Sequence, residues 1–330
     1  MADVSSVYLG WQLGAEVTPG TGVAANRLMQ SFGMGRMQGQ GSGTPFRPQG
    51  SKLNTIIVPP GRRWMTTPID GVMTYNEIVY LLCSALRSVT PTADGTNGKK
   101  WTFTLSKSAP DVKQTYTGEN GSSVHAQKAA YMQVQSLQLE MSPESNKLSG
   151  SFIGQQIQDD IAMTGSPTEI DPIIIAPQAL EVKVADTQAG LTGASVFTRP
   201  FMATLSIDNI VAPLNRMNAA DASYVALIEQ APTISLKLTV GADDADMVFL
   251  TNLTAGSTKF IRVQALGAVI AGAIPSAYAF QLDFSGKVPD HYNPGDRAGV
   301  ATSEWTFQAN YDVTWTKAFE LFVVNTLATL

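Results

Sequence analysis

Residues able to do chemistry are sparse in this 330-residue chain. His125 and His291 are its only histidines, and neither has a cysteine or second histidine at ligand spacing. A zinc site needs three or four such groups converging, so the expected place for both imidazoles is a solvated loop. Cys83 is the single cysteine, which excludes an intramolecular disulfide framework. It falls inside an apolar helical stripe, where a thiol acts as a small buried hydrophobe rather than a nucleophile.

The remaining motifs are equally weak. Asp243, Asp244 and Asp246 cluster, but no further ligands follow at calcium-loop spacing, and acids of this kind suit a helix N-terminus. Gly33, Gly35, Gly39, Gly41 and Gly43 lack the GxGxxG spacing and follow no strand, so they do not form a phosphate cradle. There is no G-x-S-x-G elbow and no P-loop. A glycosidase would need paired carboxylates on neighbouring strands, and Asp208 with Asp312 is the pair that spacing leaves open. Two sequons, Asn120-Gly121-Ser122 and Asn252-Leu253-Thr254, match at the level of chance. No catalytic, cofactor or metal residue is assigned, and the chain does not read as an enzyme.

The elements that would position these residues are mostly strands. From Glu304 to Thr316 the odd positions Trp305, Phe307, Ala309, Tyr311, Val313 and Trp315 are apolar, while Thr306, Gln308, Asn310, Asp312, Thr314 and Thr316 are polar. Alternation of period two predicts a strand with one packed and one wet face. Phe319 to Val324, apolar on both parities, predicts a strand buried on both faces. The same alternation marks strands at 101–106, 201–208, 233–240 and 278–284, and an apolar-parity shift near Ser136 in the strand 131–141 predicts a bulge. A helix is expected from Thr74, with Thr74 and Glu77 as a capping box and Ile78, Leu81, Leu82, Ala85 and Leu86 as its stripe. Two shorter helices are expected at Ala219 to Glu229 and Asp244 to Thr254. Polar loops are expected at Glu119 to Ala130 and Val288 to Ser303.

Composition restricts the partners. Charged residues make up 15% of the chain, against a usual fraction of about 25%, and surfaces poor in charge commonly meet other protein. Residues 1–165 carry 13 basic and 11 acidic side chains, the remainder 9 and 16, so the halves are +2 and −7. Neither has the basic stripe of a nucleic-acid binder. No stretch approaches the roughly 18 apolar residues of a membrane helix. Residues 1–10 have no cationic region followed by an apolar run, so no signal peptide is expected.

Laid in order, the elements divide the chain into a Gly-, Gln- and Met-rich N-terminal arm (1–50), a first β domain (51–165), a linker (166–179) and a second β domain (180–330). Each domain runs helix, strand pair, polar loop, strand pair. The expected fold is therefore mainly β with flanking helices: two tandem sandwiches or partly open barrels.

Several short patterns, in order, carry a family resemblance: Leu9-Gly10-Trp11-Gln12-Leu13-Gly14-Ala15-Glu16-Val17-Thr18-Pro19-Gly20-Thr21; Leu180-Glu181-Val182-Lys183-Val184-Ala185-Asp186 followed by Gly190-Leu191; Leu205-Ser206-Ile207-Asp208-Asn209; and Phe307-Gln308-Ala309-Asn310-Tyr311-Asp312 with Val324-Asn325. Together they resemble the major tail tube protein of long-tailed bacteriophages, in the version with two tube domains per chain. The resemblance implies a structural protein made in the host cytoplasm and built into the virion tail. Strands of neighbouring domains would join into an inner barrel, three chains would close a pseudo-sixfold ring, and rings would stack. The channel would carry the tape-measure protein and then DNA without specific binding, with tail-tip and terminator proteins as further partners. On this reading Thr306, Gln308, Asn310, Asp312 and Thr314 face the lumen. The loops at 119–130 and 288–303 and the arm would make contacts between subunits and rings. The long Met- and Gln-rich arm departs from the family pattern. A virion-decorating or cell-surface adhesin and the inner tube of a contractile tail are the other readings compatible with low charge and alternating strands.

Overall fold

The structure is a computed structural model that describes residues 9–41, 47–53, 61–122, 124–218, 221–242, 247–288, 293–297 and 299–330. In chain order it contains β1 (Gly10–Ala15), β2 (Arg27–Met29), β3 (Phe32–Met34), β4 (Gln38–Gly41), β5 (Arg63–Val72), α1 (Ile78–Ala85), β6 (Thr92–Asp94), β7 (Gly98–Phe103), β8 (Tyr116–Gly121), β9 (Ala126–Met141), β10 (Asn146–Gly154), β11 (Thr168–Glu169) and β12 (Leu180–Ala185). There follow β13 (Pro200–Asp208), β14 (Val211–Leu214), β15 (Ala226–Glu229), β16 (Thr233–Gly241), α2 (Met247–Ala255), β17 (Lys259–Ile270), β18 (Ser276–Lys287), β19 (Asn293–Arg297), β20 (Val300–Ala309) and β21 (Phe319–Asn325). The chain is mainly β, with 51% in strands and 7% helical.

Alternating sequences build one long antiparallel sheet. β3 and β4 lie end to end along one edge of β5, and the order continues β5, β10, β9, β13, β16, β20, β19. Because side chains alternate between faces, register turns each parity into a row across the sheet. One row is Gly71, Leu148, Leu139, Leu205, Leu236 and Phe307, and its five side chains are buried. Each buried Leu or Phe contributes roughly 1.5–3 kcal/mol. Gly71 opens the row because a Cβ there would stand 2.4 Å from the Phe32 backbone.

β9 is the shared element. Its first part pairs with β8, and its second part lies between β10 and β13. The bend sits at Tyr131, whose φ is +53°, and the Glu16 carboxylate holds that turn by accepting the Tyr131 N–H at 2.8 Å. The parity shift expected near Ser136 is a register shift in the β9–β10 ladder, where Ser151 pairs Ser136 but Phe152 pairs Val134.

A second layer runs β12, β17, β18, β21, β7, β6. It is stapled where Arg262 meets the nearly buried Asp283 through two bonds of 2.6 and 2.8 Å. One continuous hydrophobic cluster spans both halves of the chain. Helix α1 fills its centre: all eight residues are buried, so the expected apolar stripe extends around the whole circumference, as in a fully interior helix. Ser84 Oγ accepts the Val134 N–H, and Tyr116 donates to the Tyr80 carbonyl.

The expected capping box is half formed. Thr74 Oγ1 accepts the Glu77 N–H at 3.3 Å, but the Glu77 carboxylate turns away to accept the Gln30 and Ser31 N–H groups and the Ser31 hydroxyl. The carboxylate thereby pins the β2–β3 connection onto the core. Much of the N-terminal arm is accordingly not loose: β1 pairs with β2 and β8, and β3 and β4 with β5.

Other expectations are corrected. Of the helix expected over Ala219 to Glu229, the described residues 221–229 are not helical; Ala226–Glu229 is β15, paired with β14, so a local hairpin outweighs a chance helical spacing. The helix expected over Asp244 to Thr254 is present as α2, described from Met247 to Ala255, with residues 243–246 outside the described residues; Leu53 to Val58, which also reads as a short strand in sequence, lies mostly outside them. The polar loop 119–130 is a tight β8–β9 hairpin, and 288–303 contains β19 and the start of β20. The linker is a docked strap: Ile175 donates to the Met73 carbonyl, Tyr75 to that of Ile173, and Ile170 and Ile175 are buried. The strand expected over 304–316 stops at Ala309. Asp312 accepts the Trp315 N–H at 2.6 Å and Thr316 adopts φ +60°, so a side-chain-capped turn replaces further ladder.

Burial raises the Glu77 carboxyl above its ordinary value, so the native chain takes up its proton before the unfolded chain does as pH falls. The desolvation penalty is therefore present near neutrality and is relieved on acidification. Glu77→Gln puts an amide NH2 against donors and is expected to lower stability by about 1–3 kcal/mol. In denaturant titrations at pH 7 and pH 5, the advantage of wild type over this variant should widen at the lower pH.

Candidate functional site

The feature that stands out is the other face of the long sheet. Its central row reads Asp70, Ser149, Gln138, Ser206, Ser235 and Gln308, one residue from each of six successive strands. The neighbouring row reads Val72, Lys147, Glu140, Thr204, Lys237 and Thr306. Apart from Val72 every side chain in the two rows is polar, while the rows behind them are mainly Leu, Ile, Phe and Trp. The sheet is therefore two-faced across β5 to β20, a span greater than either half of the chain supplies alone.

The face is close to electrically balanced. Across these six strands Asp70, Glu140, Asp208 and Glu304 stand against Lys147 and Lys237, and Lys237 Nζ lies 3.2 Å from Glu304. Small hydroxyls occupy its centre: Ser136 and Ser151 share a hydrogen bond of 2.9 Å. Such a surface offers no cationic stripe to hold a polyanion.

Of the polar positions singled out by sequence, Thr306 and Gln308 stand on this face, opposite Lys237 and Ser235. Asn310, Asp312 and Thr314 do not extend it; they fall in the turn after β20. The partners that complete the face on β9, β10, β13 and β16 went unmarked, although their polar parity was visible in each strand. Only register across strands reveals that they form one surface.

The sheet ends in two open edges. All four β4 residues are exposed, and so are Asn293 to Asp296 of β19. Each edge strand pairs on one side only among the described residues, leaving backbone donors and acceptors of the kind that recruit another strand.

Side chains with chemical potential do not converge. Among the described residues no three His, Cys, Asp or Glu come together where they could hold a metal ion. His125 Nε2 lies 3.1 Å from Asp159 Oδ1 at a solvated site, and His291 lies outside the described residues. The Cys83 thiol is buried, and burial pushes its pKa up to about 12, so it stays protonated. The Asp312 carboxylate is occupied in its own turn. Among the described residues no helix is long and apolar enough to cross a membrane. Compared with known proteins, the chain matches no family model and no curated sequence.

The two faces make opposite predictions under mutation. Gln138→Ala or Gln308→Ala should change unfolding free energy by no more than about 0.5 kcal/mol. Leu205→Ala, one residue from Ser206 but on the buried face, should cost about 2–5 kcal/mol. Chemical denaturation of the three variants checks the assignment.

Proposed function

We propose that this chain is a structural subunit that polymerises into a tube, in the manner of the tail tube proteins of long-tailed bacteriophages, and acts by shape rather than by catalysis. One observation carries the reading: the strand order of the long sheet repeats. The sequence β3/β4, β5, β10, β9 is followed by β13, β16, β20, β19. In each set the second strand leads into a helix, and the third and fourth are the two arms of one hairpin. That order supports two tandem tube domains, 51–165 and 180–330, the first borrowing its edge strand from the arm.

A repeated unit joined head to tail within one chain has a natural continuation. The β9–β13 junction already joins the last strand of one set to the first strand of the next. Its open counterparts, β19 and β3/β4, lie at opposite ends of the same sheet. Heterologous contacts of this kind close into rings when the rotation allows, and three chains would make a pseudo-sixfold ring. The polar face would then line the channel. Its near balance of charge, with acids in excess, suits a conduit that DNA and a tape-measure protein must traverse without sticking.

Negative-stain electron microscopy of the purified protein, with sedimentation at rising concentration, tests this. Hollow tubes or stacked rings are expected. A species that stays monomeric at every concentration, and also when tail-tip complex is added, overturns the proposal.

A further inference from the structure

The repeat also determines which residues meet at the seam between chains. Val72 and Gly241 are the last residues of the second strand in each set, β5 and β16. Aligning on them makes Asp70 equivalent to Thr239 and Thr66 equivalent to Ser235. Register carries the equivalence outward. Gln138, reached from Asp70 through Ser149, corresponds to Asn293, reached from Thr239 through Glu304. Gln38, opposite Thr66, corresponds to Ser206, opposite Ser235.

Within the chain, Gln138 faces Ser206 across the β9–β13 junction. We infer that Asn293 of one chain faces Gln38 of the next across an antiparallel ladder between β19 and β4; this inference rests on the tube reading above. One further feature agrees. Both residues are exposed on open edges. The seam is also irregular on one side. Met34 pairs Ile69 while Gln38 pairs Thr66, so the β3/β4 strand has one residue more than β5 between these points, as a bulge does. Pro294 removes one donor from the β19 side. A short, interrupted ladder of this type resists promiscuous edge pairing while accepting the one partner whose register fits.

Cysteine cross-linking tests the register, because a disulfide forms only when Cα atoms come within about 4.4–6.8 Å. The buried Cys83 stays out of the reaction. Under mild oxidation, assembled Asn293→Cys/Gln38→Cys protein should run as covalent dimers and trimers on a non-reducing gel, and each single variant as monomer. Gln138→Cys/Ser206→Cys should close the equivalent bridge within one chain and serves as the positive control. Asn293→Cys/Gln40→Cys, displaced by two residues, should react far less. Tubes that form but cross-link through the displaced pair, or not at all, overturn the register while leaving the tube intact. Cross-linking of Asn293→Cys to itself overturns it by showing a twofold seam. Absence of both tubes and cross-links overturns the register and the tube together.

Discussion

The β9–β13 ladder is the contact on which the rest of the molecule depends. It joins Leu137 to Met141 with Ala203 to Ile207, and without it the chain would hold two four-stranded sheets, each with a raw edge. With it, the leucine row runs unbroken from β10 to β20 and the hydroxyl row runs with it on the opposite face. A one-residue slip in this ladder would exchange the faces, placing Leu139 in water and Gln138 in the core. The side-chain alternation on both strands therefore specifies the register as strongly as the backbone bonds do.

Much of this was legible in the primary structure. Alternation identified β7, β13, β16, β18 and the C-terminal part of β20 from Glu304 on, and the parity break located the β9 irregularity, because period-two patterning is local and half-burial enforces it. Topology was partly legible too: mainly β, with a helix following a strand in each half. The candidate face was legible only as scattered polar parity. Thr306 and Gln308 were recoverable from their own strand, whereas Gln138, Ser149, Ser206 and Ser235 join them only through register that no single strand encodes.

The failures have a common physical origin in long-range bonds. The Gly- and Gln-rich arm looks flexible by composition, yet β3 and β4 form because β5 offers an edge and the Glu77 carboxylate holds the connection before β3 at Gln30 and Ser31. The strap at 166–179 looks like a linker from its prolines, yet it carries two buried isoleucines and ladder bonds to Met73 and Tyr75. Local side-chain bonding misled in the other direction: Asp312 caps a turn where alternation alone continued the strand to Thr316.

One ladder that crosses between the halves bears on how the protein is made. β21 pairs with β7, where Trp101 donates to Asn325 across 224 residues of sequence. Contacts so distant in sequence slow folding, and a ribosome delivers β7 long before its partner. The nascent first half must wait with β7 paired to β6 on one side only and its other edge open, a state prone to aggregation. The flank of β7 is covered only once β21 has emerged, which ties completion of the second layer to the synthesis of residues 319–325.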